Sequence, residues 1–190
     1  MPIQIIWGND TKSCENEIDK IINSNISKQW ESFNLSKLDG NDENQVFKAF
    51  EEMQDAPFGG GSRIILLKNN PIFNIKNDKF ADKFESSSQY ISESTFLILF
   101  CVNKPDSRLK TTKFLKKLIK SNKAFESSYN LPDIWDYESQ LKHVEEISRN
   151  LNINLDKDAA HAIIKSIGTE STKLDNEFKK ALLYLSAKNK

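Results

Sequence analysis

Cysteine is almost absent from this 190-residue sequence, which holds only Cys14 and Cys101. Two cysteines cannot build the disulfide framework of a small secreted domain, and Cys101 lies in an apolar run where it reads as a small buried hydrophobe. A reduced, cytoplasmic protein is therefore expected. Net charge is missing too, because 27 Lys and Arg are matched by 27 Asp and Glu. No global field draws the chain to nucleic acid or to a membrane, although local patches remain available. No apolar run approaches the length of a membrane span and no signal peptide opens the chain, so a soluble protein without a membrane partner is expected. His143 and His161 lack metal-ligand spacing, and neither a His-Cys cluster nor an H-E-x-x-H motif occurs. No Ser/His/Asp set stands out, and there is no internal repeat or low-complexity tract. Neither a metal, a cofactor nor a catalytic centre is expected.

The most informative absence is a glycine. Residues 5–18, IIWGNDTKSCENEI, run from an apolar strand pattern through a glycine and a Lys-Ser pair into an amphipathic helix pattern. That is the order of a phosphate-binding loop, whose full signature is G-x-x-x-x-G-K-[ST]; its glycines let backbone N–H groups wrap the phosphates. Here Gly8 is followed by Asn9, Asp10, Thr11, Lys12 and Ser13. The second glycine is missing, the loop is too short, and Asp10 places a negative charge where phosphate would sit. The segment reads instead as strand, turn and a helix capped by Asp10 or Thr11.

Short apolar runs alternate with amphipathic segments up to about residue 127, the rhythm of a parallel α/β sheet. Strands are predicted at Ile3–Trp7, Trp30–Leu35, Arg63–Leu67, Thr95–Val102 and Ala124–Ser127. The fourth is apolar without alternation, as in a central strand covered on both faces. Helical stripes are formed by Cys14, Ile18, Ile21 and Ile22; by Val46, Phe47, Phe50 and Met53 behind an Asp42 cap; by Phe80, Phe84 and Ile91; and by Phe114, Leu115, Leu118 and Ile119. After SSYNLPDIW (127–135) only helical patterns follow. Tyr137, Leu141, Val144 and Ile147 mark the first. Ala159, Ala160, Ile163 and Ile167 mark the second, started by Asp156 and stopped by Gly168. Leu174, Phe178, Ala181, Leu182 and Leu185 mark the third. The predicted architecture is an α/β domain over 1–130 and a small helical domain over 131–190, with a boundary near Leu131-Pro132.

Three stretches are candidate sites. Lys113, Lys116, Lys117 and Lys120 lie on the wet side of the helix pattern in 108–123, a face suited to DNA phosphates. The neutral net charge favours a solvated surface whose lysine stems shield the apolar stripe. Asn103, Lys104, Asp106, Ser107 and Arg108 follow the central strand, at the end where open α/β sheets bind ligands; they also read as a plain turn with Asp106 as a helix cap. The third, MQDAPFGGGSR (53–63), sets Pro57 and Phe58 before three glycines that suit a mobile or tightly turned connection. Phe58 either folds back onto the sheet edge, as buried Phe generally does, or anchors a partner's pocket.

Taken in order, IIWGNDTKSCENEI, QVFKAFEEMQDAPFGGGSRIILLKN (45–69), TFLILFCVNKPDSRLKTTKFLKKL (95–118) and LDNEFKKALLYLS (174–186) resemble the delta subunit of the bacterial DNA polymerase III clamp loader. The resemblance spans the whole chain and is carried by the succession of degenerate motifs. It implies an AAA+ like parallel-sheet domain with a degenerate phosphate loop, then a small helical lid domain clipped near its end. The family's third, collar domain is absent, so the fragment is expected to stay monomeric rather than enter a stable loader pentamer. The resemblance further implies DNA replication, with the chain binding the sliding clamp and holding it open for loading onto primed DNA. ATP would be hydrolysed by neighbouring subunits, so no intrinsic activity is expected of this subunit of a DNA-directed DNA polymerase holoenzyme. The implied partners are the sliding clamp and the other clamp-loader subunits, with DNA secondary. The family's clamp-binding element, between the second helix and third strand, falls on Pro57 and Phe58, with Pro57 where the family commonly has Leu. Gln54 to Phe58 also read as a loose Q-x-x-hydrophobic-Phe clamp peptide. The rival expectations are an active P-loop nucleotidase of AAA+ shape and a DNA-binding module using helix 108–123.

Overall fold

The structure is a computed structural model and describes residues 2–188. It divides into two compact units, Met1–Asn9 with Cys14–Tyr129, and Asp10–Ser13 with Asn130–Lys190.

In the first unit β1 (Ile3–Trp7), β2 (Leu35–Asp39), β3 (Arg63–Lys68), β4 (Thr95–Cys101) and β5 (Ala124–Ser128) form one parallel sheet in the order β2-β3-β4-β1-β5. Parallel neighbours need long crossovers. Here these carry α1 (Thr11–Asn25), which belongs to this unit from Cys14 on, the short α2 (Glu31–Asn34), α3 (Glu43–Glu51), α4 (Asp78–Ser88) and α5 (Lys110–Lys120). Because strand side chains alternate between faces, Ile3, Ile5, Ile65, Leu67, Leu97 and Leu99 join a core with Val46 and Phe50 of α3, Phe80 and Phe84 of α4, and Leu115 and Leu118 of α5. Ile6, Ile64, Leu66, Ile98 and Phe100 point the other way, onto Cys14, Ile18, Ile21 and Ile22 of α1. This two-sided covering explains why Ile64–Leu67 of β3 and Phe96–Cys101 of β4 are unbroken apolar runs. Phe50, Phe73 and Phe84 are fully buried, and each such ring contributes roughly 1.5–3 kcal/mol relative to exposure.

The helix starts follow ordinary capping chemistry. Asp42 accepts from the Asn44 N–H at 2.9 Å to begin α3, and Asn77 accepts from Lys79 and Phe80 to begin α4. Four local expectations are corrected. Trp30–Leu35 is not a strand: Lys28–Trp30 is a 3-10 turn, Glu31–Asn34 is α2, and the strand starts at Leu35. Its apolar content is low because it is an edge strand, with Leu38 its one buried position. Ile91 lies beyond the end of α4, although it still packs on the core. Met53 falls in a 3-10 turn, Glu52–Gln54, that follows α3. Asp106 does not cap α5, whose N-cap is Leu109 without a side-chain bond; its carboxylate is taken instead by Arg108.

The second unit contains α6 (Tyr137–Asn150), α7 (Lys157–Ile167) and α8 (Ser171–Lys188). Asp136 and Asp156 cap the first two through the N–H groups of Ser139 and Ala159, and Gly168, at φ 85°, stops α7. Val144, Leu174 and Phe178 form the centre of its core, flanked by Ile147, Ile163 and Ile167. Leu182 and Leu185 of the predicted third stripe are exposed. Tyr137 is also largely exposed, with its ring stacked on His161 at 5.3 Å.

Candidate functional site

The connection from α3 to β3 is pinned rather than loose. Asp55 O accepts from the buried Thr95 hydroxyl at 2.9 Å. Farther along, Asn34 grips Phe58 twice: its Oδ1 accepts the Phe58 N–H at 2.7 Å and its Nδ2 donates to Phe58 O at 2.9 Å. Ser62 N–H then donates to Asn25 O at 3.3 Å. Asn34 itself is fully buried, so its amide would be expensive to bury without these two bonds. Of the two connections three glycines suit, the tightly turned one is formed.

Held this way, Phe58 stays 57% exposed. Its ring lies 5.2 Å from Trp30, edge-on at 73°, and 5.2 Å from Phe33 at 34°. Such offset and edge contacts are the favoured geometries of aromatic pairs. Gly59 is required for this packing: its φ is +69°, and a Cβ there would stand 2.5 Å from the Trp30 indole. Gln54 is exposed and Pro57 half-buried. Arg63, at the start of β3, ties the surroundings together. One guanidinium nitrogen donates to Glu52 at 2.8 Å and lies 3.5 Å from Asp55, and the other donates to Phe33 O at 3.3 Å.

Trp30, Phe33, Asn34 and Arg63 were missed as site residues by sequence reasoning, although W-x-x-F-N has the i, i+3, i+4 spacing of a helix face. A strand assignment hid it.

The other candidates are more ordinary. Lys113, Lys116, Lys117 and Lys120 are exposed along α5. Lys113 and Lys117 line a groove of about 540 Å³ together with Lys76, Arg108 and the carboxylates Asp78 and Glu85. In the turn after β4, the Arg108 guanidinium holds the Asp106 carboxyl down at about 2, so the arginine's forked donors are engaged within its own turn. At the start of α1, Asp10 accepts from the Ser13 N–H at 3.2 Å and from its hydroxyl at 2.6 Å. The carboxylate thereby takes up a donor that a phosphate would use. Gly8 N–H donates to Cys101 O at 3.2 Å.

A family model described as DNA polymerase III, delta subunit, matches residues 5–125, more than half of the chain. The chain belongs to that family. DNA polymerase III subunit delta of Bacillus subtilis (strain 168) is 28% identical over 123 residues, covering 61% of this chain and 35% of the relative. Among solved structures, the Bacillus subtilis DNA clamp loader delta protein superposes with a TM-score of 0.75 at 20% identity, covering 97% of this chain and 54% of that one. This second likeness is one of fold. The delta-family chain described here thus spans about a third to a half of the length of these relatives. The family match includes the whole of the Phe58 connection and its aromatic neighbours. Among its described residues, no helix is long and apolar enough to cross a membrane.

Proposed function

We propose that this chain serves DNA replication as a delta-type clamp-loader subunit that binds the sliding clamp and holds it open, without hydrolysing ATP itself. The clamp, the other loader subunits and, secondarily, DNA are its partners, and the cytoplasm is its place. The observation that supports clamp binding is Phe58. A fixed, half-exposed aromatic ring between α3 and β3, in a chain of this family, is the form of a docking anchor, since buried aromatic anchors dominate interface energetics. Gln54 and Pro57 flank it as lesser contacts.

Clamp affinity and thermal stability of Phe58→Ala, measured beside Phe84→Ala, test the proposal. Truncating a hot-spot residue typically costs at least about 2 kcal/mol, roughly thirtyfold in affinity. Phe58→Ala should show that loss with little change in melting temperature. Phe84, fully buried, should instead destabilise the fold by about 3–5 kcal/mol when truncated. Unchanged clamp affinity in folded Phe58→Ala would remove the residue from the mechanism.

A secondary DNA contact is proposed for Lys113, Lys116, Lys117 and Lys120. Two of them share a groove with Lys76 and Arg108, and phosphate contacts release counterions. Replacing Lys113 and Lys117 together should weaken duplex binding and flatten its dependence on salt by about two contacts' worth. An unaltered salt slope would refute the contact.

A further inference from the structure

We infer that Phe33 is a second anchor of the clamp-docking surface, presented beside Phe58 by the helical segment that precedes β2; the inference rests on the clamp-binding reading given above. Phe33 is 60% exposed, as open as Phe58 itself. The two rings lie 5.2 Å apart and tilt by only 34°, so they form one continuous apolar surface rather than two separate spots. Trp30 stands behind both, 5.2 Å from Phe58 and 6.3 Å from Phe33.

Both exposed residues are held through their backbones, Phe58 by the buried Asn34 and Phe33 by the partly buried Arg63. Phe33 O accepts from Arg63, and Phe58 is gripped at N–H and O by Asn34. Polar side chains, one buried and one partly so, thus fix the backbones of two residues whose rings face water. Fixing a contact surface before binding reduces the ordering cost of association, and an aromatic pair presented this way matches the composition of an interface core.

Charge selects the occupant. The residues that flank the rings in the chain include Lys28, Glu31 and Asp55, and the Arg63 guanidinium is already paired with Glu52 and Asp55. A stacking platform for nucleobases needs a basic track for the phosphates alongside, whereas the charges that flank these rings, with Lys37 included, are of both signs and balance. The rings therefore fit an uncharged, apolar pocket on a protein, continuous with the one that receives Phe58.

The test compares the full chain with Phe33→Ala, Phe33→Asp and Phe58→Ala. Affinity for the cognate sliding clamp and for a single-stranded DNA probe is measured for each, with melting temperature alongside and Phe125→Ala as an exposed aromatic control elsewhere on the sheet. Phe33→Ala is expected to weaken clamp binding about tenfold or more, the mark of a residue inside an interface core, and Phe33→Asp more strongly still. Both should stay folded, and Phe125→Ala should bind as the parent does. Were Phe58→Ala to weaken the clamp complex while both Phe33 variants bound normally, the second anchor would be overturned and the clamp reading kept. Were neither position to matter, both would fall. Loss of DNA binding in the Phe33 variants with clamp affinity intact would overturn the inference in favour of base stacking.

Discussion

Asn34 shows how one residue decides what another can do. Its amide is fully buried and makes two hydrogen bonds to the Phe58 backbone, so it defines where an exposed ring sits. Removing a buried hydrogen-bonding side chain generally costs about 1–3 kcal/mol. Asn34→Ala should therefore lower stability by that amount in chemical denaturation and also speed hydrogen exchange at the Phe58 amide. Unchanged exchange there would mean that the glycine turn holds Phe58 without Asn34. At this scale the sequence was legible where the site is contiguous, as in Gln54, Pro57 and Phe58. It was not legible where partners come together across the chain: Asn34 reaches Phe58 from 24 residues away, and Arg63 reaches Phe33 from 30. No local pattern encodes such pairings.

Among elements, the turn from β1 into α1 carries the tightest constraint. Gly8 has φ +144°, and a Cβ there would stand 1.7 Å from Tyr129 O, beyond the end of β5. Tyr129 N–H in turn donates to Trp7 O at 2.9 Å, so the carbonyl cannot retreat without breaking the continuation of the β1–β5 pairing. Gly8→Ala should destabilise the α/β unit by at least about 3 kcal/mol, combining backbone strain with the clash. A variant within about 1 kcal/mol of the parent, the ordinary range of small effects, would show that the turn can relax. The glycine was conspicuous in the sequence because phosphate loops need one; its job here is close approach of two backbones. The strands were legible for a related reason. Those covered on both faces, β3 and β4, have unbroken apolar centres, Ile64–Leu67 and Phe96–Cys101, whereas the edge strand β2 has one buried position and was displaced in prediction onto Trp30 and Phe33. Those aromatics looked like strand residues because they are large and apolar, but their partner is Phe58 rather than a neighbouring strand.

For the whole molecule, the question is whether a sheet of this order still handles nucleotide. Open α/β sheets bind ligands beyond the carboxyl ends of their strands, where neighbouring crossovers diverge, and β1 lies between β4 and β5. At the end of β1, Gly8 N–H is already bonded to Cys101 O, and Trp7 Nε1 donates to Glu126 at 2.8 Å. At the start of α1, the Asp10 carboxylate accepts from Ser13 twice. An incoming phosphate would have to displace this internal anion, would meet its charge at close range, and would find no second glycine to let the backbone wrap around it. The chain is therefore expected not to bind Mg-ATP with a micromolar dissociation constant, a level corresponding to about −8 kcal/mol. Calorimetric titration of the protein with Mg-ATP should give only heats of dilution, and hydrolysis should stay at the rate of buffer alone. The same titration on Asp10→Ala separates two causes. If charge alone closes the site, the variant should gain saturable binding; if the missing glycine and the short loop also matter, as the sequence of the loop argues, it should remain silent. Stoichiometric, tight binding by the parent chain would overturn the account of the loop while leaving the Phe58 surface, and its own test, untouched.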